Sequence, residues 1–401
     1  MLGKDARLRN RRSDLRQFLD RCCCGSSILD KPRRKFLTQS IWGILMSCSL
    51  LVSRWLRFLA GADRCKHRFW RHKRLLDQLR STRWDHAAAL SQYQRYWGQR
   101  VQPDTPLILD LCDLAKPRAR TLKYLALVRD GSDDGRLVNG YWCVELYAAW
   151  SKGRITPLLL HPYSIEDPQV KGENAEILRC VEQVYAATNG NGVLVMDAGG
   201  DRDNLLIPWV DGRRLFVVRL RGDRHLQLDD DAHTRVEARL LADTMLAQAA
   251  RRDPGRRIIW RRVYLPERPD RPLYLVAKTI KGSDRALILL TALTVENLET
   301  AKRALAYYRR RWSCEESARF LKKELGLERF AIRTYEALPR LLFLAALAMG
   351  FLTWLQLRMP SLHQWLCDKS PGRRKVKFAY YRVLQWIQDQ VIPPKTLPAP
   401  P

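Results

Sequence analysis

Two aspartates close short apolar runs, Asp110 at the end of "LILD" and Asp197 at the end of "VLVMD". A glutamate, Glu315, sits inside the basic stretch "YYRRRWSCEESARFLKK", residues 307–323. A carboxylate buried at a strand end costs several kcal/mol unless it meets a partner, a cation or solvent. One such aspartate is commonly a turn or cap residue. Two of them on strands expected to be near neighbours in one sheet, joined by a third acid, make a set of hard oxygen ligands able to hold divalent cations. Asp113 is a weaker member, three residues beyond Asp110 and so on the opposite strand face or in the following turn; Asp201 and Asp203 read as turn and capping residues.

Nothing between residues 307 and 323 breaks a helix. On a helix turning about 100° per residue, Tyr308, Arg311, Glu315 and Lys322 fall within an arc of about 60° and extend about 21 Å along the axis. Glu316 points elsewhere. One face would then offer an acid for a metal, with a phenol, a guanidinium and an ammonium to hold phosphates around it. A solvated charged face, its acids relieving repulsion among the bases, is the plainer alternative.

These groups need a scaffold. From residue 107 the period becomes that of strands: "LILDL", "YWCVELYAAW" and "ITPLLLHPY", with turn-like "DGSDDG" and "SKG" between them. A helical stretch, "NAEILRCVEQVYAA", then the "NGNG" turn and "VLVMD" follow, and a helical segment near 203–210 leads to the strand "RLFVVRL". Strands joined through helices pair in parallel, so the sheet is mixed and the fold class is mixed α/β. Residues 225–295 read as a β-rich insertion, after which helices resume. The expected division is a helical basic region over 1–100, a core over 101–224 and 296–358 interrupted by that insertion, and a C-terminal helical region with a disordered tail, "IPPKTLPAPP", over 359–401.

The 401 residues carry 71 Lys+Arg against 42 Asp+Glu, a net charge of +29. That excess points to a polyanionic partner. Residues 1–100 hold 23 basic and 7 acidic residues, so +16 of it lies in a quarter of the chain. There, "CKHRFWRHKRLLDQLR" sets arginines and Trp70 at helical spacing, as a helix facing nucleic acid would. The ten cysteines form no C-x-x-C pair, a reduced intracellular usage, and Cys22–Cys24 with His67 or His72 fits no familiar zinc spacing. The charged N-terminus has no signal-peptide core. "LLFLAALAMGFLTWLQL" (341–357) is uncharged for 17 residues, at the lower edge of a membrane span, and reads more simply as a buried core helix.

The spacing Y-x2-R-x3-E-x6-K, filled by Tyr308, Arg311, Glu315 and Lys322, resembles the signature of DDE transposases of the insertion-sequence-four group. "LDLCDLAKP" resembles that group's first acidic block, with Asp110 at the catalytic position; "VLVMDAGGDR" followed by "FVVRLRGDR" resembles the second, with Asp197. Where the family usually has Arg after that aspartate, this chain has Ala198. The likeness covers roughly residues 35–385.

The resemblance implies an RNase H-like core with a β insertion before the last acidic helix. It implies Asp110, Asp197 and Glu315 as catalytic ligands of two Mg²⁺ ions, with Mn²⁺ able to substitute, and Tyr308, Arg311 and Lys322 as DNA contacts. It also implies a bacterial cytoplasmic protein at the nucleoid, acting on terminal inverted repeats and target DNA as a dimer on paired ends. No Walker A pattern is present, so no ATP requirement is expected. A two-metal nuclease without strand transfer, a DNA-binding protein with a decayed site, and a membrane protein remain the alternatives on sequence.

Overall fold

In the computed structural model the described residues are all but 1, 24–28, 60–64, 82–84, 132–134, 151–152, 230–233, 369–377 and 392–401, and the side chains of 2–10, 65–68, 130 and 391. The tail "IPPKTLPAPP" and Cys24 lie outside the described residues.

The chain opens with helices α1 (Leu2–Cys22), α2 (Lys31–Ser47), α3 (Val52–Trp55), α4 (Cys65–Arg80) and α5 (His86–Gly98). Strands β1 (Pro106–Ala115), β2 (Ala126–Asp130), β3 (Arg136–Ala149) and β4 (Ile155–Tyr163) follow. Then come α6 (Glu173–Ala187), β5 (Val193–Met196), α7 (Asp203–Asp211) and β6 (Phe216–Arg219). The insertion contributes β7 (His225–Leu228), β8 (Arg235–Glu237), α8 (Ala238–Arg252), β9 (Ile258–Leu265), β10 (Arg268–Lys278) and β11 (Leu287–Thr291). Helices α9 (Leu298–Arg310), α10 (Trp312–Arg319), α11 (Ala337–Arg358), α12 (Pro360–Asp368) and α13 (Tyr380–Val391) complete it.

The central order is β4-β3-β1-β5-β6, with β2 pairing the first residues of β3. β1 and β4 each run antiparallel to β3, whereas β5 pairs parallel with β1 and β6 parallel with β5. The parallel pairs are reached through α6 and α7, as helical crossovers require. This is the RNase H-like core, and the mixed α/β class holds. Beyond β6 the insertion continues the same sheet, β11 antiparallel to β6 and then β10, β9, β7 and β8. It carries one helix, α8, which its alanine-rich sequence supports but which the expectation of strands alone omitted.

Two further features depart from simple sequence periodicity. The apolar residues near 40–60 form two helical arms rather than one helix. α2 stops at Ser47, Cys48 takes a left-handed conformation (φ 45°, ψ 48°), and the two arms meet at 88°. Gly43 permits this bend, since a side chain there would drive into the Cβ of Trp55. Nor does β1 end at Asp110; it continues to Ala115, with Asp110 in mid-strand.

α11 is the chain's most apolar helix and long enough to cross a membrane, yet 89% of its most apolar window is buried inside the fold. It lies against β4 on one side and α2, α4 and α13 on others. One hydrophobic core therefore runs from Leu15 of α1 through the sheet to Ile387 of α13. A polar seam ties this centre: Thr353 of α11 bonds Thr156 at 3.1 Å and Tyr380 at 2.6 Å, and Tyr380 also accepts from the Ile155 amide. A smaller core on the other sheet face packs Val193, Val195, Val217 and Leu289 against Ala304, Leu305 and Tyr308 of α9.

Candidate active site

The register of the parallel pair builds the site. Pro106 stands opposite Val193, Leu107 opposite Leu194 and Ile108 opposite Val195. Continued by two residues, the same offset brings Asp110 level with Asp197. β5 ends at Met196, and its chain turns away in a short 3₁₀ segment over Ala198–Gly200. Asp197 caps that turn by accepting the Gly199 amide at 2.8 Å. β1 thus loses its neighbour just where Asp110 projects, and residues 110–112 become partly exposed between buried ends. Adjacent strands are about 4.8 Å apart, so the two aspartates face one notch at close range.

Asp110 accepts the Leu111 amide at 3.1 Å and the Cys314 thiol at 3.2 Å. Burial raises its pKa, the thiol bond opposes this, and the nearby Asp197 charge raises it further. Cys314 belongs to α10, and its contact brings that helix onto β1 one residue before Glu315. Glu315 lies in the first turn of α10, partly exposed, and accepts from Arg311 Nη2 at 2.6 Å. The Arg311 guanidinium stands 5.8 Å from the Tyr308 ring centroid, and its Nε is buried without a partner. The Tyr308 ring itself belongs to the smaller core beneath β5.

Lys322 is placed differently from the helical-wheel expectation. The expected single helix is divided: α9 ends at Arg310, i→i+3 bonds at Arg311 and Cys314 tighten the joint, and Phe320–Glu324 widen into a π-turn closed by Leu325 N to Phe320 O at 3.1 Å. Such turns recur at functional sites. Here the turn swings Lys322 onto Asp113 (3.0 Å) and Glu328 (2.8 Å). It also buries Phe320 among Phe378, Tyr380 and Tyr381. Asp113 is consequently a buried ion-pair partner rather than a free ligand. Glu316 pairs with Arg319 at the surface. Asp201 accepts the Arg221 amide and an Arg224 bond, and Arg224 also reaches Asp203.

Two groups beside the notch were not singled out from the sequence. Arg221, exposed, donates from Nε to the Ala198 carbonyl at 3.1 Å and so bears on the Asp197 turn. Glu145 is the direct cross-strand partner of Asp110 and is buried. It accepts from the Cys112 thiol at 3.0 Å and the Tyr147 hydroxyl at 2.8 Å. Burial pushes its pKa up to about 7, against those two bonds and with help from the Asp110 charge. Its signal was present: it is the one charge in the ten-residue run "YWCVELYAAW".

Residues 158–351 match the model of a family described as "Transposase DDE domain". The matched stretch starts within β4 and ends within α11, so it includes Asp197, the insertion and Glu315, while Asp110 precedes it. The match supports a DDE transposase, a class of nucleic-acid phosphoryl-transfer enzymes that generally uses divalent metal ions. No curated protein matches the sequence. Among solved structures the chain is similar to a piggyBac transposase synaptic complex with hairpin DNA, at a TM-score of 0.48 and 11% identity, over 93% of this chain and 76% of that one.

Proposed function

We propose that this chain is a DNA transposase of a bacterial insertion sequence, which binds the element's terminal inverted repeats and catalyses strand cleavage and strand transfer. The observation that supports the proposal is the strand register that puts Asp110 level with Asp197, with α10, the helix that carries Glu315, seated on β1 by the Cys314–Asp110 contact. Three carboxylates suit hard divalent cations, and a desolvated Asp110 repelled by Asp197 is a group that a cation would relieve. Asp110, Asp197 and Glu315 would hold two Mg²⁺ ions, which when bound supply an activated water or 3′-hydroxyl and stabilise the leaving oxygen.

The chain's own groups would do the rest. Arg311, whose guanidinium stands beside the Tyr308 ring and bonds Glu315 through Nη2, is suited to a phosphate oxygen next to Glu315. Lys322 spends two of its three ammonium protons on Asp113 and Glu328 and keeps one for a phosphate. Arg221 adds a guanidinium at the Asp197 turn, where Ala198 itself offers no charge. The basic N-terminal helices would take the flanking duplex. On α4, Phe69 and Trp70 are exposed and Lys73 lies 5.5 Å from the Trp70 ring centroid, a combination fit for a nucleic-acid surface. Paired DNA ends would call for two copies.

A gel assay on DNA carrying the element's end, with Mg²⁺ and target DNA, tests this. Wild type should nick the end and join it to target. Asp110→Asn, Asp197→Asn and Glu315→Gln should each lose nicking by orders of magnitude while retaining end binding. Nicking without joining would indicate a nuclease. Binding without nicking would indicate a decayed site, and any one of the three variants cleaving normally would remove its residue from the triad.

A further inference from the structure

Beneath Asp110, on the same face of the β1–β3 pair, lies a second set of ligand-type side chains that the proposed reaction leaves unused. Cys112 and Cys143 are direct cross-strand partners, as are Asp110 and Glu145, so alternate positions bring both thiols and the glutamate to one side. The two sulfurs and a Glu145 oxygen lie within 4.8 Å of one another. Cys143 and Glu145 are buried and Cys112 is half-buried. Glu145 has only the Cys112 thiol and the Tyr147 hydroxyl as hydrogen-bond partners, and no basic side chain among the described residues comes within ion-pairing distance. A carboxylate fully withdrawn from water without a cation is the uncommon feature here, and a bound cation is one way to satisfy it.

We infer that Cys112, Cys143 and Glu145 form a site for a thiophilic divalent cation of the zinc class, separate from the acids at the notch. Bonds of about 2.3 Å to sulfur and about 2.0 to 2.2 Å to oxygen put tetrahedral donors about 3.5 to 3.8 Å apart. The present spacing closes onto that geometry with side-chain adjustment alone. Two sulfurs select zinc or cadmium over Mg²⁺, which prefers oxygen throughout. A water would complete the tetrahedron as the fourth ligand. Binding displaces the two thiol protons and any proton on Glu145, leaving two thiolates and a carboxylate around a dication. The one remaining negative charge faces the Lys322 ammonium, which lies within electrostatic reach of Cys143 and Glu145. Cys112 is two residues from Asp110, about 7 Å along the strand, so the ion would clamp β1 to β3 directly under the notch.

The test uses the full reduced chain without DNA, so its result is independent of the transposase proposal. Cadmium is titrated into wild type, Cys112→Ser, Cys143→Ser and Cys314→Ser while the ultraviolet thiolate-to-cadmium charge-transfer band is followed. Wild type and Cys314→Ser should take up one equivalent that both Cys112→Ser and Cys143→Ser lose. A band retained unchanged in those two variants overturns the proposal. If either fails to fold, wild type alone decides. One equivalent of Zn²⁺ should block iodoacetamide alkylation of Cys112, read by mass spectrometry of its peptide, and leave the half-buried Cys367 unaffected. Equal alkylation of Cys112 with and without Zn²⁺ refutes the site.

Discussion

Glu145→Gln should stabilise the fold, and by an amount that depends on pH. In the folded protein burial raises the Glu145 pKa from 4.5 to about 7, with the Cys112 and Tyr147 bonds opposing and the Asp110 charge adding. The folded state therefore holds this proton more tightly than the unfolded chain does. Below pH 4.5 both states are protonated and the group costs nothing in charge burial. As pH rises to about 7 the unfolded chain ionises freely while the folded one resists, so wild type loses stability across that window and no further above it. A displacement of some two and a half units at about 1.4 kcal/mol each makes the loss on the order of 3 kcal/mol. Glutamine keeps the shape, accepts one of the two bonds at its amide oxygen and turns its NH2 to the other partner as a donor, and it does not titrate. Urea unfolding of wild type and Glu145→Gln, in chelator to keep cations away, should give curves that nearly coincide at pH 4.5 and separate by about 3 kcal/mol at pH 8. A separation that stays constant with pH would show that Glu145 is hydrated or paired with a cation in the folded protein, and the argument from burial would fail.

Glu315→Gln should lose Mg²⁺-dependent nicking by orders of magnitude, whereas Glu316→Gln, whose partner is the surface Arg319, should cleave nearly as wild type; equal loss in both on a gel would dismiss Glu315 as the third acid. Lys322→Ala should lower stability by about 3 kcal/mol, because it leaves Asp113 buried without its cation, and a Lys322→Met, Asp113→Asn double variant should recover much of this in thermal unfolding. An unchanged melting temperature in Lys322→Ala would show that the pair is solvated. Gly98→Ala should cost about 1 to 3 kcal/mol, since a methyl group at that point of α5 meets the Ala187 backbone carbonyl at the end of α6, which cannot rotate aside. Chemical denaturation reads this directly, and no loss would mean that the two helix ends are free to part.

The core strands and the two aspartates were legible because an acid closing an apolar run is conspicuous at strand periodicity. The crossover through α6 gave the parallel pairing from local signals alone. The register that sets Asp110 level with Asp197 was not legible, since it depends on how far β1 continues beside β3, a non-local pairing. The same holds for Glu145, whose isolation in "YWCVELYAAW" is visible but whose position opposite Asp110 is not. The division of the Tyr308–Lys322 helix escaped because no residue in it breaks a helix; the π-turn comes from distant partners, Asp113 on β1 and the Phe378–Tyr381 aromatics. α8 escaped because its apolar stripe is faint, and the break after Ser47 because it rests on the contact of Gly43 with Trp55.

The shared core around α11 bears on how the protein is made. Leu45 in α2 receives its hydrogen bond from Gln388 in α13, 343 residues later, and the Leu50 amide donates to the Leu325 carbonyl. The apolar surface of α2 that packs against α11 and α13 stays uncovered until those helices have left the ribosome. At about 5 to 20 residues per second that is an interval on the order of 20 to 70 s. The nascent N-terminal third is then both strongly basic and sticky, a client for chaperones that shield hydrophobic helices. A chain truncated before α11 would never cover that surface, so premature termination should yield an aggregating fragment rather than a free DNA-binding one.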